Sequence, residues 1–121
     1  MKHLIVSLKT ADEIFEDFKR AFKKAKKKKL KSPHFEISFD NKKDFERFTR
    51  NLYILKYILL FKPKSVYELA KITNMDMSNL NKVILFFEAV GAVRVKTSRV
   101  AGRVVKTPSV EYDTVEFRLA A

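Results

Sequence analysis

KSVYELAKITNMDMSNLNKVILFFEAVGAVRVKTSRVAG, residues 64–102, is the stretch whose reading decides the fold. Ser65 followed three residues later by Glu68 is a capping box, in which two side chains satisfy backbone N–H groups left without partners at a helix start. Pro63 closes off the helix before it. Val66, Leu69, Ala70 and Ile72 form the apolar set of the helix so opened, and the small Ala70 lets a second helix cross closely. Thr73-Asn74-Met75 makes the turn. Asp76 is the predicted N-cap of the next helix, in which Leu80, Val83, Ile84, Phe87 and Val90 recur at three- and four-residue spacing as one buried stripe. Gly91 ends it in the left-handed conformation that glycine adopts without strain. Val93, Val95 and Thr97 then alternate with Arg94, Lys96 and Ser98. Arg99-Val100-Ala101-Gly102 is read as a turn, and Arg103-Val104-Val105-Lys106 as the returning strand.

Two short helices, a turn and a hairpin are the order of a winged helix-turn-helix module. In such a module the N-terminal turns of the second helix present Ser78, Asn79, Asn81 and Lys82, all hydrogen-bonding types and none acidic, to base edges in a major groove. An Asn at 79 or 81 is suited to a bidentate contact with adenine. Ser65, Lys96, Arg99, Arg103 and Lys106 are the candidate phosphate and wing contacts. Arg99 and Arg103 flank the hairpin tip, which suits them to a phosphate or a narrow minor groove.

The run SVYELAKITNMDMSNLNKVILFFEAVGAV resembles the winged-helix core of many prokaryotic and archaeal regulators. Over nearly its full length the chain further resembles a family of small archaeal regulators, some proposed as antitoxins. Those put a strand, a Lys-rich helix and an I-S-F strand before the winged helix and end on a P-x-x-x-Y-D strand. The matching pieces are Ile37-Ser38-Phe39 and Pro108 through Val115. The departures are Phe48-Thr49-Arg50-Asn51, where a Leu-Thr-Pro helix start is usual, and Ala92, where Leu is usual. The resemblance implies DNA binding, and for antitoxins a toxin as second partner.

Upstream, HLIVSLK at residues 3–9 reads as a strand with Leu4, Val6 and Leu8 on one face. Thr10 with Glu13 is a second capping box, opening a helix with Ile14, Phe15, Phe18, Phe22 and Ala25 at helical spacing. Acids at 12, 13, 16 and 17 and lysines at 23, 24 and 26–29 match the helix dipole. The run Lys26, Lys27, Lys28, Lys29 exceeds that need and is a candidate for a phosphate backbone. HFEISFD alternates as a half-buried strand with Phe35, Ile37 and Phe39 inward. Asn41 with Asp44 caps a stretch carrying Phe45, Phe48, Leu52, Leu55, Ile58 and Leu59 at helical spacing, read as two helices bending near residues 49–51. Tyr53, Ile54, Tyr57, Leu60 and Phe61 make its second half apolar on more than one face, so burial on two sides is expected, by the helix-turn-helix and by either the N-terminal unit or a second subunit. Met75 and Met77 are expected to fill core gaps. After Pro108, residues 112–119 alternate with Val115, Phe117 and Leu119 inward, a strand that needs a partner from residues 3–9 or 34–39 of its own chain or of a second copy.

The expected class is therefore α+β, a winged helix-turn-helix at 41–108 between a strand-helix-strand extension at 1–40 and a terminal strand at 109–121. With 121 residues, 46% of them apolar and no Cys, the chain can bury a core without disulfides, and a Cys-based zinc site is excluded. Its longest apolar run, Tyr57–Phe61, is far too short for a membrane span, and the N-terminus lacks the apolar run of a signal peptide, so a cytoplasmic protein with no membrane partner is expected. His3 and His34 have no metal-ligand spacing, two Gly preclude a phosphate-cradling loop, and no catalytic constellation is present, so neither a cofactor nor an enzyme is expected. The net charge of +12 instead favours a polyanion. The reading that follows is a sequence-specific double-stranded DNA-binding regulator acting as a homodimer. Its alternative is a winged helix serving as a protein-interaction module, an antitoxin or a factor docking on transcription machinery, motivated by Leu85 and Phe86 on the outer side of the second helix. RNA binding ranks third, because no strand face interleaves aromatic and basic residues.

Overall fold

The computed structural model describes residues 2–10, 12, 13, 15, 16, 18–20, 22 and 34–119, and over these the chain is α+β. Strand β1 is Lys2–Leu8 and β2 His34–Phe39, with helical residues among 12–22 between them. Helices α1 (Lys42–Arg50), α2 (Leu52–Phe61), α3 (Val66–Thr73) and α4 (Met77–Val90) follow, then strands β3 (Arg94–Val100), β4 (Arg103–Ser109) and β5 (Tyr112–Arg118). The chain divides into two units, residues 1–47 with 112–121 and residues 48–111. Residues 41–47, which the sequence groups with the central helices, thus belong to the first unit.

In the first unit β1 is the middle strand of a parallel sheet ordered β2-β1-β5. Leu4 pairs with Phe35 and Val115, and Val6 with Ile37 and Phe117, so the apolar residues of three strands share one face. Phe45 of α1 meets that face edge-on, its ring 6.2 Å from Phe39 and 6.0 Å from Phe117. Ile5 and Ser7, on the other face, are buried as well. A central parallel strand covered on both sides reads as a continuous apolar run, and LIV at residues 4–6 is that run. Buried Ser7 is satisfied by the Ser38 hydroxyl at 3.2 Å. The partner of β5 is β1 of its own chain.

The inward row expected along β5 is corrected at its end. Tyr112 is buried, Val115 half-buried and Phe117 exposed, and Leu119, beyond the paired residues, is 93% exposed. Cover is lost because β5 is an edge strand whose pairing stops at Arg118. Phe15, Phe18 and Phe22, placed by periodicity on an apolar face, are exposed too. Ile14, Ala25 and the lysine run 26–29 lie outside the described residues.

The helices start and end on the caps that the sequence announces, the first of them in the first unit and the rest in the second. Asn41 Oδ1 accepts from Asp44 N at 2.8 Å at the start of α1, and the helical stretch 42–61 divides at Asn51, the N-cap of α2. Lys62, left-handed at φ 46°, ends α2 just before Pro63. Ser65 Oγ accepts from Glu68 N at 3.0 Å at the start of α3, and Asp76 Oδ2 from Asn79 N at 3.1 Å at the start of α4. Between α3 and α4, Asn74 adopts φ 55° and Met75 N reaches back to Ala70 O at 3.1 Å, closing the turn. Gly91, at φ 90°, lets Ala92 N donate to Phe87 O at 2.8 Å. The core between these helices holds Ile54, Leu55, Ile58, Val66, Leu69, Leu80, Val83, Ile84 and Phe87, with Phe48 edge-on to Phe87 at 5.6 Å.

Within the single chain Tyr53, Leu60 and Phe61 are exposed, so one of the two sides of α2 expected to be covered is buried here. Met77 is exposed rather than filling a gap, because it sits on the first turn of α4 ahead of the buried stripe that begins at Leu80. Among the described residues no helix is long and apolar enough to cross a membrane.

Candidate nucleic-acid interface

Helix α4 is oriented by Leu80, Val83, Ile84 and Phe87, whose burial fixes the opposite side of the helix as its outer side. Ser78 and Lys82, one turn apart, lie on that outer stripe and are exposed. Asn79 is exposed and Asn81 half-buried. At about 100° per residue these two asparagines stand on opposite flanks of the stripe, roughly 160° apart, so one groove floor cannot be read by both at once. Leu85, three residues after Lys82 on the same stripe, is 57% exposed. Phe86 is half-buried, its ring 5.9 Å from that of Phe87.

The hairpin turns more tightly than its sequence implies. Val100 pairs with Arg103, leaving only Ala101 and Gly102 in the loop, at φ 52° and 78°. Two successive positive φ values mark the type I′ turn, whose twist matches that of the strands it joins. The register then sorts the basic residues. Lys96 and Arg103 share one face with Arg94 and Ser98, while Arg99 and Lys106 share the other with Thr97 and Val104. All four candidate wing residues are exposed, and the face of Arg94 is partly neutralised by Glu111, 3.3 Å from its guanidinium. Strand β4 is tied to α3 where Thr107 Oγ1 donates to Lys64 O at 2.7 Å. The hydroxyl oxygen of Ser65, next to Lys64, serves the helix cap, and its proton remains available to an acceptor.

Charge agrees with this layout. Residues 48–111 carry eleven basic and four acidic side chains. Among the described residues no three His, Asp or Glu side chains gather as a metal ion would require. Tyr67, exposed on α3 with the Lys71 ammonium 4.6 Å from its ring centre, is a cation–aromatic pair that the sequence reading missed. Its signal was available in the i, i+4 spacing of the two residues. Comparison with protein-family models, curated proteins and solved structures found no match to this chain.

Proposed function

We propose that residues 48–111 form a winged helix-turn-helix and that the protein is a sequence-specific regulator binding double-stranded DNA. The observation that carries this reading is α4 itself. Its apolar side is buried, its N-terminal turns expose Ser78, Asn79 and Lys82, and the hairpin that follows exposes Lys96, Arg99, Arg103 and Lys106. In this reading α4 enters the major groove, Lys82 and Ser78 face its floor, and one asparagine reads an edge beside them. The hairpin lies along the adjacent backbone or minor groove, and Ser65 donates to a phosphate at the start of α3. Lysines 26–29 extend the same electrostatic attraction from the first unit.

The test is titration against random duplex and random single-stranded RNA at two salt concentrations, followed by selection of bound duplexes. Tight duplex binding with an enriched inverted repeat supports the reading. Binding that disappears at physiological salt and enriches no motif refutes it, leaving only counterion release.

A second reading is favoured by one observation, the exposure of Leu85 on the outer stripe of α4, where a helix lying in a groove needs no large apolar side chain. It makes α4 a docking face for a protein, as in an antitoxin. Leu85→Ala separates the two: it weakens a protein complex and leaves duplex affinity in place.

A further inference from the structure

Helix α2 departs from the pattern of the chain around it. A third of all residues are charged, yet Leu52–Phe61 contains a single charge, Lys56. Ile54, Leu55 and Ile58 turn one side of this helix into the core. On the opposite side Tyr53, Leu60 and Phe61 are 46%, 58% and 51% exposed, with half-buried Tyr57 between them. At 3.6 residues per turn positions 53, 57, 60 and 61, with Lys56 at the margin, occupy one arc roughly 140° wide. The rings stand in a row, Tyr53 to Tyr57 at 5.9 Å and Tyr57 to Phe61 at 5.8 Å. Tyr53 is held at its far end, its hydroxyl donating to Met75 Sδ at 3.5 Å. Large apolar side chains gathered on one exposed helix face mark a surface suited to a partner.

We propose that a second copy of this chain covers the outer face of α2, the two α2 helices packing antiparallel about a twofold axis at Tyr57. Charge singles out this occupant. Copies of a chain with net charge +12 repel one another least where that charge is sparsest, and this arc carries Lys56 alone. An acidic partner would instead be drawn to the Lys- and Arg-bearing hairpin. The row is also self-complementary. Tyr53 and Phe61 lie four residues either side of Tyr57, so the antiparallel pair sets Tyr53 of one copy against Phe61 of the other, an isologous contact. Half-exposed side chains of this size offer about 100 Å² each, roughly 300 Å² per copy from the three most exposed. That is the aromatic, charge-poor centre of a standard interface of roughly 800 Å² per partner, with flanking residues as its rim. The inference deepens the regulator reading by naming the dyad that an inverted repeat requires, and rests on that reading only for the dyad's use.

Sedimentation of the full chain without DNA is the test. The wild type is expected to interconvert reversibly between monomer and dimer in the micromolar range, and Leu60→Glu and Phe61→Glu to stay monomeric with unchanged circular dichroism and melting temperature. Because the chain has no cysteine, Tyr57→Cys gives an independent readout: mild oxidation links two copies at the axis, while Leu85→Cys leaves them unlinked. A wild type monomeric at high micromolar concentration overturns the proposal, as does a dimer whose mass survives both glutamate variants. A dimer that binds no duplex refutes the DNA reading and leaves this interface standing. A monomer that binds one half-site does the reverse.

Discussion

On the proposed DNA-binding reading, removing the basic residues of the hairpin in pairs asks which of its faces meets a phosphate backbone. Register places Lys96 with Arg103 and Arg99 with Lys106, on opposite faces of a two-stranded ribbon, and a ribbon lying on DNA turns one face to it. Of the double variants Lys96→Ala/Arg103→Ala and Arg99→Ala/Lys106→Ala, one should therefore lose two phosphate contacts and the other none. Each neutralised phosphate contributes about 0.9 to the slope of log affinity against log salt, so the sensitive pair lowers that slope by about 1.8. Over a fourfold rise in salt that variant then loses roughly tenfold less affinity than the wild type. The mixed pair Arg99→Ala/Arg103→Ala removes one contact and lowers the slope by about 0.9. Fluorescence anisotropy on a selected duplex at four or five salt concentrations reads all three. Equal effects of the two same-face pairs, or the larger effect from the mixed pair, would refute the argument from register. No change in any of them would take the hairpin off the DNA altogether.

Asn79→Ala and Asn81→Ala, standing on opposite flanks of α4, should not alter the same base: repeat selection should relax one position for one variant, and a motif relaxed identically by both contradicts the helix orientation. Phe87→Ala opens a cavity against Phe48 in the core of the second unit and should destabilise it by about 3–5 kcal/mol in denaturant titration. Asp76→Ala removes the hydrogen bond to Asn79 N and should cost about 1 kcal/mol. Thr107→Val, which cuts the bond to Lys64 O, should cost about 0.5–1.5 kcal/mol and raise amide exchange in β4 ahead of α4.

What could be read without coordinates was what is decided within a few residues. Ser65, Asp76, Asn41, Asn74 and Gly91 act on backbone groups three to five positions away, and their types announce those roles. The buried stripe of α4 follows from helical period alone, and with it the exposure of Ser78, Asn79 and Lys82. The difference between Asn79 and Asn81 was implicit in the same period, but flanking positions depend on how neighbours pack. Hairpin faces escaped because they depend on register, and register on whether the loop holds two residues or four. The positive φ of Ala101 decides that, and alanine gives no sign of it. The cover of the outer face of α2 was left open for another reason: apolar residues state that a surface needs cover, not which molecule supplies it. The partner of β5 was undetermined because strand pairing across the whole chain leaves no local mark.

That last pairing has a consequence for the order of folding. Lys2 pairs with Tyr112, about 110 residues away in sequence and beside a register shift, so β5 reaches β1 only by closing a loop that contains the whole second unit. Residues 48–111 have only closer pairings. The inserted unit can thus fold first, while β1 and β2, a two-stranded parallel pair of poor intrinsic stability, still lack their third strand. Closure of that sheet is the slow, long-range step, and the last to protect Leu4, Ile5 and Val6 from other chains.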